Sequence, residues 1–157
     1  MLLDFLNKKL PKDCDHIIGL TSSDISTTKY EEGSSHEVKK PEWKYNDWGI
    51  FGLGQMPGTA CVVSNFRLKA GVGEAKLRER LRKNACHEIG HNLGLPHCEH
   101  SDKCFMRDAV ESIATVDADD ERLCPHCADL VNVRMPEQGT TADGALPTSD
   151  EAEPQSW

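Results

Sequence analysis

The strongest periodic signal in the chain is an apolar stripe in its second half. Leu77, Leu81, Ala85, Ile89 and Leu93 recur every four residues, while Arg78, Glu79, Arg82 and Lys83 occupy the other faces. That spacing predicts an amphipathic helix starting near Glu74, entered through a connection loosened by Gly71 and Gly73. Upstream, Thr59 to Phe66 is the clearest strand, preceded by a Pro57-Gly58 turn. His16 to Thr21 is a shorter apolar run suited to a buried strand, after which Asp24 and Ile25 open a loop. Trp48 to Gly54 has strand-like apolar content interrupted by three glycines, which suits an edge strand that another backbone approaches closely. Leu2 to Leu10 reads as an amphipathic helix stopped by Pro11, and Glu31 to Lys44 as a long polar surface loop. A last helix is expected to begin at Asp119 or Asp120 and to run through Cys124 to Val133. From Pro136 onward the composition is Gly, Thr, Ala, Pro, Ser and acid, without periodicity. The expectation is one α+β domain over residues 1–135 and a disordered acidic tail over 136–157.

Chemistry concentrates where the long helix ends, in His87-Glu88-Ile89-Gly90-His91-Asn92-Leu93-Gly94-Leu95-Pro96-His97. His87 and His91 are four residues apart, so on a helix they project from one face. Gly94 can adopt a positive φ, which ends the helix and turns the chain sharply. The turn lets His97 return as a third ligand, leaving the fourth tetrahedral position of a Zn²⁺ ion to water. Glu88 follows the first ligand directly, where it could reach that water and take its proton. The bland alternative, a helix with incidental histidines, requires five fixed positions to coincide by chance.

Cys98, Cys104, Cys124 and Cys127 form a second constellation. Cys124-Pro125-His126-Cys127 is a CxxC knuckle, and a second thiolate pair upstream completes a tetrahedral shell with no open position. Such a zinc would be structural, pinning the loop after His97 to the C-terminal helix. His100 and His126 lie close enough in sequence to replace a thiolate, but four cysteines suffice. Cys14, Cys61 and Cys86 have no spacing partner, and Cys61 and Cys86 are expected to pack in the core.

The run from His87 to Cys127 resembles the archaemetzincins, a branch of the metzincin clan of zinc metallopeptidases. It is carried by the extended histidine motif, His97-Cys98, Cys104-Phe105-Met106 and the distal CxxC. Five residues separate Cys98 from Cys104, one more than in the family pattern. The resemblance covers residues 16–133. It implies a mixed β-sheet with an active-site helix and a C-terminal helix, and it leaves open whether the family's first strand is present. It also implies that Met106 is the Met-turn methionine, a hydrophobic floor under the three histidines. Trp48 to Gln55 falls where the family places the antiparallel edge strand with which peptide substrates pair.

Composition narrows the remaining choices. The formal charge is −8, but five acids lie beyond Arg134 with no basic residue among them, leaving −3 upstream. Neither part offers the basic footprint of a nucleic-acid binder. No apolar run approaches a membrane span, and the first ten residues, interrupted by Asp4, do not read as an export signal. The expectation is therefore a cytoplasmic monomer whose seven cysteines serve as ligands before bridges. Two functional classes stand. One is a peptidase that uses Glu88 as general base on peptide or protein substrates, with one catalytic and one structural zinc. The other is a catalytically weak or inactive, metal-stabilised binding domain.

Overall fold

The structure is a computed structural model that describes residues 2–108 and 112–132. The tail over 136–157, the domain boundary at 135 and the end of the expected last helix at Val133 lie outside the described residues.

The elements run α1 (Leu2–Asn7), β1 (Ile17–Thr21), β2 (Ile25–Thr27), α2 (Glu42–Tyr45), β3 (Trp48–Ile50), β4 (Gly52–Gly54) and β5 (Ala60–Ser64). They continue with α3 (Asn65–Leu68), α4 (Glu74–Asn92), α5 (Ile113–Ala118) and α6 (Pro125–Leu130). The fold is α+β. Among the described residues, one sheet has the order β1-β5-β4, with β1 parallel and β4 antiparallel to the central β5. A separate ribbon pairs β2 with β3. All five residues of β5 are buried, as a central strand covered on both faces requires. α1 and α4 take opposite faces. Leu6 sits over Gly19, whereas Glu88 of α4 meets Gly52 and Gly54.

The glycines of the predicted edge strand have the role that their usage suggested. A Cβ at Gly54 would lie 2.7 Å from the Glu88 backbone oxygen, so α4 can rest on β4 only because β4 carries no side chain there. The segment is nevertheless not one strand. It breaks at Phe51, whose carbonyl accepts from the Ser64 N–H at 2.8 Å, and its two halves join different sheets. Ile25, expected to open a loop, instead starts β2. α1 stops at Asn7, before Pro11 is reached, and the Asn7 side chain bonds Gln55 and Thr59.

The largest departure concerns α4. Its stripe of Leu77, Leu81, Ala85 and Ile89 is only half-buried, and Leu93 is 50% exposed. The fully buried positions are Arg80, Lys83, Asn84, His87, Glu88, Gly90 and Asn92. Partners offset the cost of that polar face. Arg80 makes a two-pronged bond to Asp117 at 2.7 and 2.8 Å and donates to the Leu68 carbonyl. Lys83 pairs with Glu79 at 2.8 Å and donates to the Val116 carbonyl. Without these partners each buried cation would be left uncompensated, so the contacts to Asp117 and to the Val116 carbonyl fix where α5 lies.

The C-terminal region corrects a second expectation. α5 was not anticipated, although Ser112 caps it by accepting from the Ala114 N–H. Asp119 does not start a helix. It ends α5 in an extended conformation, and the last helix begins only at Pro125, with Cys124 as its N-cap residue. A compact core of Leu95, Cys98, Cys104, Met106, Leu123, Cys127 and Ala128 joins this region to the end of α4. Cys61 is buried as expected, but Cys86 is exposed on the outer side of α4.

Gly54→Ala should cost about 1–3 kcal/mol in chemical denaturation, the usual range for forcing atoms into a packed contact. An unchanged midpoint would show that α4 does not rest on β4 as described.

Candidate functional site

The end of α4 is a Schellman turn. Gly94 takes φ +90°, its N–H donates to His91 O at 2.9 Å, and the Leu95 N–H donates to Gly90 O at 2.9 Å. The turn buries Leu95 and aims its carbonyl back at His91 Nδ1, 2.8 Å away. His87 Nδ1 meets the Phe105 carbonyl at 2.7 Å. With each Nδ1–H donating to a carbonyl, each Nε2 presents a lone pair, and the two Nε2 atoms face one another at 3.0 Å. His97 comes round after the turn, and its ring lies 5.4 Å from that of His87 and 4.9 Å from that of His91. One ligand atom from each of the three histidines falls within 4.8 Å of the others. Burial pushes His87 down to about 4, against the Phe105 bond, and lowers His91 as well. Both rings are thus neutral, the form that ligates metal.

Glu88 is 6% exposed and lies against the strand edge, where a Cβ at Gly52 would come within 2.5 Å of its Oε1. Burial pushes its carboxyl up to about 8, although a bond from the Gly54 backbone opposes the shift. A cleft of about 290 Å³ opens over Glu88 and all three histidines, with Gly52, Gly54 and Met56 on its strand side.

Met106 is wholly buried. A Cβ on Gly90 would collide with the Met106 sulfur, so the methionine packs directly on the helix between the turns that carry His87 and His91. The Met106 carbonyl also accepts from the Cys98 N–H at 2.8 Å, which ties this contact to the second cluster. There Cys98, Cys104, Cys124 and Cys127 bring one sulfur each within 4.8 Å, the extra residue between Cys98 and Cys104 notwithstanding. Backbone N–H groups of His100 and Cys124 point at the sulfurs of Cys98 and Cys104, at 3.4 and 3.3 Å. Burial acts to raise the Cys98 thiol, but the N–H and S–H groups around it prevail and hold it below its ordinary value. N–H donors aimed at sulfur are what a thiolate set needs, so both donor sets fit a divalent metal of zinc's preferences. The imidazoles of His100 and His126 are not among the candidate ligands of the sulfur cluster. Their rings stack on each other at 3.7 Å.

The structure therefore brings together each set of ligand candidates read from the sequence. It adds groups that sequence analysis left without a role here: the Phe105 and Leu95 carbonyls, and Lys83 and Asp119 around the cavity that His87 also lines.

Residues 44–133 match the model of peptidase family M54. The chain belongs to this family. Over 90 residues it is 37% identical to the archaemetzincin of Haloquadratum walsbyi, covering 52% of this chain and 51% of that one. With the archaemetzincin of Methanopyrus kandleri it shares 30% identity over 138 residues, 88% of this chain and 67% of the other. The crystal structure of the M. kandleri archaemetzincin aligns with a TM-score of 0.62 and 33% identity over 83% of this chain and 61% of that one. That of Archaeoglobus fulgidus, complexed with malonate, gives 0.56 and 33% over 78% and 64%. The chain spans about half the length of curated M54 relatives such as the H. walsbyi protein. The M54 match takes in β3, β4, the whole histidine motif and all four cysteines of the second cluster.

The raised Glu88 carboxyl has a measurable consequence. In metal-free protein the folded state keeps this proton up to about pH 8, whereas the unfolded chain releases it near 4.5. Stability therefore falls as pH rises through that window. Glu88→Gln removes this dependence, so its melting temperature relative to the parent should be higher at pH 8 than at pH 4.5. The gain should be on the order of a few kcal/mol. An equal difference at both pH values would contradict a carboxylate buried here.

Proposed function

We propose that this chain is a zinc-dependent metallopeptidase that hydrolyses peptide bonds in peptide or protein substrates. His87, His91 and His97 hold the catalytic zinc, and Cys98, Cys104, Cys124 and Cys127 hold a structural one. The observation that carries this reading is the position of Glu88. Its carboxyl is buried at a strand edge, next to the open side of the three imidazoles, and no ion pair of the described residues consumes it. A purely structural metal site has no use for such a group. A zinc ion on three imidazoles supplies a Lewis acid that polarises a carbonyl and acidifies a water.

The chain's own residues perform the remaining tasks. Glu88 accepts the proton of the attacking water and later delivers it to the leaving amine; a zinc ion beside it would favour the ionised carboxylate, offsetting the burial that raises it in metal-free protein. Among the described residues β4 is the edge of its sheet, so apart from the Gly54 group that bonds Glu88 an extended peptide can add along its outer side and lie across the cleft. The Phe105 and Leu95 carbonyls fix the imidazole tautomers, and Met106 prevents the histidine-bearing turn from sinking. Seven unpaired cysteines, four of them gathered as ligands, suit a reducing compartment such as the cytoplasm. Among the described residues no helix is long and apolar enough to cross a membrane.

Glu88→Gln should keep two zinc equivalents and the fold while losing peptide hydrolysis by about 100-fold or more. Elemental analysis and initial rates on the zinc-loaded protein measure both. Undiminished cleavage by the variant would remove Glu88 as the base. No cleavage by either protein would favour a metal-stabilised binding domain.

The two sites should also differ in their hold on stability. Cys124→Ser should lower the melting temperature more than His97→Ala, because the sulfur cluster joins the turn after α4 to α6 and its metal energy is folding energy. Melts in the reverse order would refute that ranking.

A further inference from the structure

On the face of the sheet opposite α4, positions of β1, β5 and β4 stand in a row. Gly19 pairs with Val62 and Val62 with Leu53, so the three share one face. It is the α1 face, because Leu6 and Val62 are the side chains that a Cβ on Gly19 would meet. Gly52 and Gly54 alternate with Leu53 and turn to Glu88 on the other face. α1 covers the Gly19 end of the row and leaves the Leu53 end open. Val62 is 3% exposed, whereas Leu53 is 36% exposed. A groove of about 470 Å³ lies over these two residues, walled by Leu2 and Leu3 of α1 and by Ile25 and Tyr30. All six side chains are uncharged. The groove runs into the catalytic cleft, since Thr27, Ile50 and Leu53 line both.

We infer that this groove is a substrate subsite, which takes a leucine-sized apolar side chain of the peptide at the position opposite Leu53. The inference rests on the peptidase reading given above. A peptide that adds along the outer side of β4 becomes the next strand of the sheet, and its residue beside Leu53 continues the row. The side chain of that residue points to the α1 face and enters the groove. Its two neighbours in the peptide point to the α4 face, toward the histidines and Glu88. The walls decide the chemistry of the guest. Leu2, Tyr30 and Leu53 are exposed, so an apolar guest removes water from its own surface and from theirs. A charged guest would give up its hydration with no counter-charge among these walls. The first turn of α1 thereby takes part in selecting the substrate.

The test moves one leucine through each position of an alanine-based peptide and compares it with serine at the same position, using the zinc-loaded full chain. One position should favour leucine by at least about tenfold in kcat/KM, the effect of burying one side chain of that size. Leu2→Glu places a carboxylate on the groove wall, in the first turn of a helix where an acid is tolerated. At that position alone the variant should turn the preference from leucine to lysine. In parallel, the leucine and serine peptides are titrated into the zinc-loaded Glu88→Gln protein, following the backbone amides of Leu3, Tyr30 and Val62 by NMR. The leucine peptide alone should shift them. Cleavage at equal rates for leucine and serine at every position would overturn the groove assignment and leave the peptidase reading standing. A leucine preference unmoved by Leu2→Glu would do the same. Selective amide shifts without any cleavage by the parent would overturn the peptidase reading and retain the groove as a peptide site. Shifts that appear on raising the protein concentration without peptide would identify a second copy as the occupant and overturn the inference. So would the absence of any shift with either peptide.

Discussion

The contact on which the rest of the site depends is the close approach of α4 to β4. Helix backbone meets strand backbone at Gly54, and the Glu88 side chain lies directly against Gly52. That proximity presses the Glu88 carboxyl against the strand edge and strips it of water, which raises its proton affinity. It also places His87 and His91 at the same edge where an added peptide strand would lie. A bulkier strand would push the helix outward and separate the Glu88 carboxyl from the strand backbone it now lies against.

A helix held so closely must be fixed from its other side as well, and here the chain uses charge where a larger protein could use hydrocarbon. Arg80 and Lys83 reach from α4 to Asp117 and to the carbonyls of Leu68 and Val116, anchoring α3 and α5. Beyond α5 the anchoring passes to sulfur, because three of the seven residues in the C-terminal core are cysteines of the second cluster. Apolar burial, ion pairs of buried cations and candidate metal ligands thus follow one another along the chain. The segment carrying Phe105 and Met106 is supported from two directions, by the cysteine core and by the Arg107–Asp119 pair.

The gathering of the two candidate ligand sets was legible in the sequence because each is written in short spacings that constrain geometry directly. His87 and His91 need only a helix, and Gly94 needs only its φ, to bring His97 round. The strand glycines were legible for a related reason, since glycine inside apolar sequence signals close approach. The buried face of α4 was not legible. Its apolar stripe suggested one orientation, but the partners that make Arg80 and Lys83 buriable come from residues 68 and 116–117, remote in sequence. α5 is only six residues long, too short for periodicity to reveal, and its one local signal was the capping Ser112. The carbonyls that orient His87 and His91 belong to the backbone, which no side-chain pattern encodes. Asp119 resembled a helix start in sequence, but it ends α5, and its surroundings are assembled from several separate segments.

The contact between Gly90 and Met106 has an evolutionary consequence. The methionine fills the volume that the glycine leaves, and even one methyl group at position 90 would overlap its sulfur. Neither position can drift alone. Any side chain at 90 demands a shorter residue at 106, and a shorter residue at 106 opens a void beneath the histidines unless 90 grows to fill it. The two sites are epistatic, and a double-mutant cycle across them would show strong non-additivity. The floor of the site is therefore a matched pair, inherited or lost as one unit.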